Sequence, residues 1–117
     1  MPKIVLLVDD NIDWIQIWKR DLNKHGIEVL SAGTTKKAKE IFKENPNMIS
    51  LVALDGDLDG GGNTRELAKE LRSEFPWLAI VAISGNTDSQ KELIEAGCNF
   101  CSPQKWEVSE YLIKLLK

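Results

Sequence analysis

Residues 54–66, LDGDLDGGGNTRE, set Asp55, Asp57 and Asp59 at alternate positions and run them into Gly60, Gly61 and Gly62. Alternating carboxylates suit few kinds of chemistry. Hard oxygen ligands so spaced can hold a divalent cation. A carboxylate can also attack phosphorus once a cation offsets the phosphoryl charge. A second acid two residues on can act as a general acid. The calcium-loop pattern D-x-D-x-D-G-x5-E is met by Asp55, Asp57, Asp59, Gly60 and Glu66. The stretch also looks like a DxDG phosphatase motif, with Asp55 as nucleophile and Asp57 as general acid. The rest of the chain has to decide between them.

Other residues with chemical potential stand at comparable places. Asp9 and Asp10 follow the apolar run IVLLV. Ser84 and Gly85 follow LAIVAI, and Ser102 and Pro103 follow NFC, with Lys105 shortly after. Cys98 and Cys101 form C-x-x-C, late in the chain. A redox pair normally opens a helix early in its unit, and a zinc site needs two further ligands. The lone histidine, His25, is far away in sequence. Buried, inert thiols are therefore expected.

The elements that must position these groups follow from the apolar pattern. Residues 3–8 (KIVLLV), 27–32 (IEVLSA), 48–54 (MISLVAL) and 78–83 (LAIVAI) read as strands, with a brief fifth at 99–101. Their near-continuous apolar character predicts burial on both faces. Between them, helical spacing predicts a helix over 11–24, one to 44 capped by Thr34 or Thr35, one over 64–74, and a short one to 96 capped by Thr87 or Asp88. A last helix is predicted over 105–117. Strand alternating with helix five times predicts parallel strands, right-handed crossovers and helices on both faces. The expected architecture is one doubly wound, three-layer α/β domain over residues 1–117. Ligands in such sheets bind at the carboxyl ends of the strands.

Five acids, Asp9, Asp10, Asp55, Asp57 and Asp59, would gather there opposite the Ser84 hydroxyl. Two unit charges about 4 Å apart repel by about 4 kcal/mol at an effective dielectric of 20. A divalent cation would offset that repulsion, and oxygen ligands with spare water positions suit Mg2+. The competing account is that Asp9 or Asp10 only caps the first helix.

Bulk properties exclude other classes. The 117 residues carry a net charge of −3, which opposes a nucleic-acid footprint. No apolar run approaches the ~20 residues that span a bilayer. The first ten residues lack the small-residue cleavage site of a signal peptide. A cytoplasmic protein without a membrane partner is expected.

Val8-Asp9-Asp10, Leu54-Asp55, Ile83-Ser84-Gly85 and the proline after the fifth strand together resemble the receiver domain of two-component response regulators. The resemblance spans the chain and implies a flavodoxin-like sheet of order 2-1-3-4-5. It implies that Asp55 accepts a phosphoryl group from a sensor histidine kinase or phosphotransfer protein. Asp10 would hold Mg2+ directly and Asp9 through water, joined by Asp55 and the backbone carbonyl of Asp57. Ser84 would be the switch hydroxyl. Such a protein is a phosphoacceptor that assists its own phosphorylation and dephosphorylation, not an enzyme.

The chain departs from that family at three places. Ser102 stands where the family carries lysine, so Lys105 would have to bend back as a substitute. Asp59 stands where a proline is usual, four places after Asp55, with three glycines behind it, and the register of the following helix also admits Asp57 as acceptor. Phe100 only loosely matches the switch aromatic of the fifth strand. Missing lysine is the feature of a degenerate receiver that works purely as an interaction module. A calcium loop would need a helix before it, where MISLVAL reads as a strand. A phosphatase of the haloacid-dehalogenase type would carry DxDG after its first strand.

Four tryptophans complete the inventory. Trp14 and Trp18 share one face of the first helix, with partial burial expected. Trp77 enters the fourth strand. Trp106 opens the last helix, where packing is expected and exposure would make it a partner anchor.

Overall fold

The computed structural model describes residues 3–56, 58, 61–102 and 104–117. Five strands alternate with five helices: β1 (Ile4–Val8), α1 (Ile12–Lys24), β2 (Glu28–Ala32), α2 (Thr35–Glu44), β3 (Ile49–Asp55), α3 (Thr64–Glu74), β4 (Ala79–Ile83), α4 (Thr87–Ala96), β5 (Phe100–Ser102) and α5 (Val108–Leu116). The strands form one parallel sheet of order β2-β1-β3-β4-β5. This is the doubly wound, flavodoxin-like arrangement expected.

The alternation of side chains across each strand divides the core in two. Val5, Leu7, Leu51, Ala53, Val81 and Ile83 face α1 and α5, where they pack with Trp18, Leu22, Val108 and Leu112. Leu6, Val8, Val52, Leu54, Ile80 and Ala82 face α2, α3 and α4, with Phe42, Leu67, Leu71 and Leu93. β1, β3 and β4 are covered on both faces, hence their unbroken apolar sequences. The edge strand β2 is only partly covered instead, with Glu28 and Ser31 exposed and Val29 and Ala32 buried. β5, the opposite edge, has only 3 residues, a short edge that offers little to stray pairing.

The first four helices begin within a residue of the expected positions, but some of their caps differ. Asparagine caps three of them: Asn11 on α1, Asn63 on α3 and Asn86 on α4, each through its side-chain oxygen. Neither Asp9 nor Asp10 caps α1, and Thr87 lies inside α4 rather than capping it. Thr34 caps α2. An asparagine carbonyl reaches the free N–H groups of a first turn as well as a carboxylate does.

Two corrections fall at the end of the chain. β5 sits one residue later than 99–101, so Ser102 is the last strand residue, paired with Ile83, and does not lie beyond the strand. The predicted helix over 105–117 is a separate 3₁₀ turn, Lys105–Glu107, followed by α5. A strand also leads directly into Asp55, and two strand–helix units precede it. The calcium-loop and DxDG readings both fail on that context. Among the described residues, no helix is long and apolar enough to cross a membrane.

Candidate functional site

β1 and β3 are neighbours in the sheet, and their carboxyl ends bring Asp9, Asp10 and Asp55 together. One carboxylate oxygen from each lies within 4.8 Å of the others. Asp9 is 3% exposed and Asp55 7% exposed, whereas Asp10 faces solvent. Asp9 is held twice. Its backbone N–H donates to Ala32 O at 3.0 Å, and its Oδ1 accepts from Asn11 N at 2.9 Å. Asn11 in turn accepts from Trp14 N at 3.2 Å, so the acid is joined to the first turn of α1. Asp55 ends β3 opposite Ile83 of β4. Asp57 and Asp59 lie outside the described residues, as do Gly60 and Pro103.

Lys105 enters this cluster from the 3₁₀ turn. Its Nζ donates to Asp9 Oδ2 at 3.1 Å and to Asp55 Oδ2 at 3.5 Å. Burial alone would lower the pKa of this ammonium. The hydrogen bond to Asp9 and the charges of Asp55 and Asp9 outweigh it and leave the pKa raised. The lysine therefore stays charged and offsets part of the repulsion between the acids. Ser102 does not take that part. It is 1% exposed, and its Oγ has no hydrogen-bond partner among the described residues.

Ser84 follows β4 directly. Its backbone N–H donates to Ser102 O at 3.2 Å, and its carbonyl accepts from Gln90 Nε2 at 2.5 Å. The hydroxyl faces its own loop, accepting from Asn86 N at 3.1 Å and donating to Asn86 O at 3.4 Å. Gly56 brings the turn after Asp55 against this region. A Cβ there would stand 2.6 Å from Ser89 Oγ and 3.2 Å from Ser84 Cβ. Farther along the turn, Gly61 O accepts from Thr35 N at 2.8 Å, tying the turn to the start of α2. Gly62 has φ of +104°, which an L side chain rarely adopts.

The site thus combines a paired-acid end of β1, an acid ending β3, a hydroxyl ending β4 and a lysine beyond β5. The response regulator receiver domain family matches residues 5–103. The chain belongs to that family. This receiver domain of two-component systems is 36% identical over 87 residues to the protein named "Probable transcriptional regulator ycf27" of Cyanophora paradoxa, covering 74% of this chain and 36% of that protein. It is 28% identical over 100 residues to the two-component response regulator ORR26 of Oryza sativa subsp. japonica, covering 82% of this chain and 17% of that protein. The receiver domain therefore spans only about a third or less of these relatives. NtrX from Brucella abortus superposes with a TM-score of 0.83 at 26% identity, over 99% of this chain and 26% of that one. A CheY-like receiver domain protein from Methanospirillum hungatei JF-1 shares the fold at TM-score 0.81 and 21% identity, over 99% and 94% of the two chains.

Outside the acid cluster, the remaining sequence candidates fall as follows. Cys98 and Cys101 are free, and burial pushes the Cys98 thiol up to about 12. Burial raises Cys101 too, but this thiol is only half-buried, so the expected full burial holds for Cys98 alone. Phe100 is partly exposed at 39%. Trp106 is 70% exposed, so the expectation that it packs is overturned. Trp18 is buried completely rather than partly, and it stacks on Trp14 with centroids 5.8 Å apart. Sequence reading took Trp18 for packing and missed its polar end. Its Nε1 donates to Lys105 O at 2.9 Å. The only available hint was that a buried indole N–H needs an acceptor.

Proposed function

We propose that this receiver domain accepts a phosphoryl group on Asp55 from a histidine kinase or phosphotransfer protein. It acts as a phosphoacceptor that assists its own phosphorylation and dephosphorylation, and changes the surface it offers to a downstream partner. The observation that carries this reading is the Lys105 ammonium, 3.1 Å from Asp9 and 3.5 Å from Asp55. It supports Lys105 as the substitute for the family lysine that Ser102 does not provide.

In the proposed step an Asp55 carboxylate oxygen attacks phosphorus. The new O–P bond forms as the bond from phosphorus to the donor atom breaks, and the donor keeps the electron pair. Lys105 would pair with phosphoryl oxygens on Asp55 through charge-assisted bonds, which are roughly twice as strong as neutral ones. The Ser84 hydroxyl would leave Asn86 and turn to the new phosphoryl group, shifting the loops after β3 and β4. Gly56 permits that coupling, since its bare Cα lets the acceptor turn touch Ser84 and Ser89.

The three mutually close carboxylates fit a hard divalent cation, and the ammonium already among them indicates a site that favours positive charge. Asp10, Asp55, the Asp57 carbonyl and, through water, Asp9 would hold Mg2+. When bound, Mg2+ neutralises phosphoryl oxygens and helps align the group for transfer.

Intact-mass analysis after incubation with Mg2+ and acetyl phosphate tests the reading, with Asp55→Asn alongside. One added phosphoryl group, absent from the variant, is the expected result. An adduct that survives in Asp55→Asn would move the acceptor elsewhere. No adduct on the wild-type protein would overturn the reading and leave an interaction module.

A further inference from the structure

Lys105 starts from an unpromising base for a residue that must deliver a charge to a fixed point. It lies in a 3₁₀ turn of 3 residues whose N-terminus, at Gln104, has no side-chain cap. A turn that short has little stability of its own. Two donors meet its carbonyl: the N–H of Val108, which continues into α5, and Trp18 Nε1 at 2.9 Å. A carbonyl oxygen has two lone pairs, so both bonds can form together.

The Trp18 end is rigid. The indole is 1% exposed, within the apolar layer between the sheet and helices α1 and α5, and it is stacked on Trp14. Its N–H would go unpaired in that layer without Lys105 O, and a buried unpaired donor is unfavourable. The helix that carries Trp18 starts at Asn11, which donates its own N–H to Asp9. A closed circuit results: Asp9 to Asn11, along α1 to Trp18, across to the Lys105 backbone, and out along its side chain back to Asp9. One helix fixes both the acid and the base of the lysine that pairs with it.

We propose that Trp18 is a positioning residue for Lys105, its indole N–H setting where the lysine delivers its ammonium. The role rests on the reading of Lys105 as a site residue. It also explains how a lysine three places beyond the usual one can serve the same pocket. Trp18 acts through the Lys105 backbone, not by contact with the reacting groups.

The test uses Trp18→Phe, which keeps an aromatic ring but removes the donor, in both the wild-type and Lys105→Met backgrounds. Acylation of Lys105 by an amine-reactive ester, mapped by peptide mass, reports its tethering without reference to phosphorylation. Labelling of Lys105 is expected to rise about fivefold in Trp18→Phe, the factor that one lost hydrogen bond represents. Labelling of the distant Lys36 and Lys117 should stay constant. Phosphoryl uptake from acetyl phosphate should slow in Trp18→Phe, while the same change in Lys105→Met should add nothing further.

Unchanged Lys105 labelling would overturn the proposal, as would a Trp18→Phe effect of full size in the Lys105→Met background. Faster labelling with no uptake by the wild-type protein would uphold the positioning role and overturn only the phosphoacceptor reading. Should Trp18→Phe fail to fold, hydrogen exchange at the Trp18 indole replaces it. Slow exchange in wild type and Lys105→Met alike is expected, because the acceptor is a backbone carbonyl; fast exchange in wild type would overturn the proposal.

Discussion

Lys105 and Asp9 stand 96 residues apart in the chain, yet the lysine ammonium donates to the buried acid at 3.1 Å. The same ammonium reaches Asp55 at 3.5 Å. A cation supplied by the chain therefore occupies the neighbourhood that a divalent ion would share.

Competition between the two cations follows. Unit charges about 4 Å apart repel by about 4 kcal/mol at an effective dielectric of 20, and solvent reduces that at a partly open site. Lys105→Met is expected to tighten Mg2+ binding by about tenfold, or ~1.4 kcal/mol, measured by isothermal titration calorimetry. Phosphoryl uptake in the same variant should fall. An unchanged Mg2+ affinity would show that the lysine swings clear when the ion binds.

The raised pKa of Lys105 has a signed consequence for stability. Its charged form is favoured in the folded state above the ordinary value of 10.5. The contribution is thus complete below pH 10.5 and is lost as pH rises through the higher folded value. The difference in unfolding free energy between wild type and Lys105→Met should be flat from pH 7 to about 10 and shrink above that. Urea unfolding across this range measures it; a difference that grows with alkalinity would contradict the pairing.

Ser102 has the opposite character. Its buried hydroxyl lacks a partner among the described residues, and such a group costs about 1–3 kcal/mol when desolvated. Ser102→Ala is expected to stabilise the fold by about 1 kcal/mol in chemical denaturation. A loss of stability would reveal a hidden partner for that oxygen.

The glycine turn is constrained by what it touches. A Cβ at Gly62 would meet Thr35 Oγ1 at 2.1 Å and Thr35 Cβ at 3.1 Å, on a backbone with φ of +104°. Gly62→Ala should cost about 1–3 kcal/mol through backbone strain, apart from the clash. It should also loosen the bond from Thr35 N to Gly61 O. A thermal melt checks the first effect and amide exchange at Thr35 the second.

Much of this molecule was determined by local sequence. IVLLV, ISLVALD and AIVAI are apolar on both faces, and only a sheet covered on both sides accepts such strands. Helices between them force parallel order, and parallel order puts Asp9, Asp10, Asp55 and Ser84 at one edge. Those assignments need only nearest-neighbour patterning and the handedness of the crossovers.

Tertiary structure alone decided which side chain fulfils each need. Asn11, Asn63 and Asn86 cap helices where aspartate or threonine neighbours were equally eligible by type. Ser102 joined β5 because pairing with Ile83 extends the ladder by a residue that composition leaves undecided. Above all, Lys105 reaches Asp9 only because a 3₁₀ turn redirects the chain and a buried indole on α1 holds that turn. Sequence spacing carries no record of such a bond: it joins residues 87 apart, and its strength comes from burial that exists only once both core layers have closed.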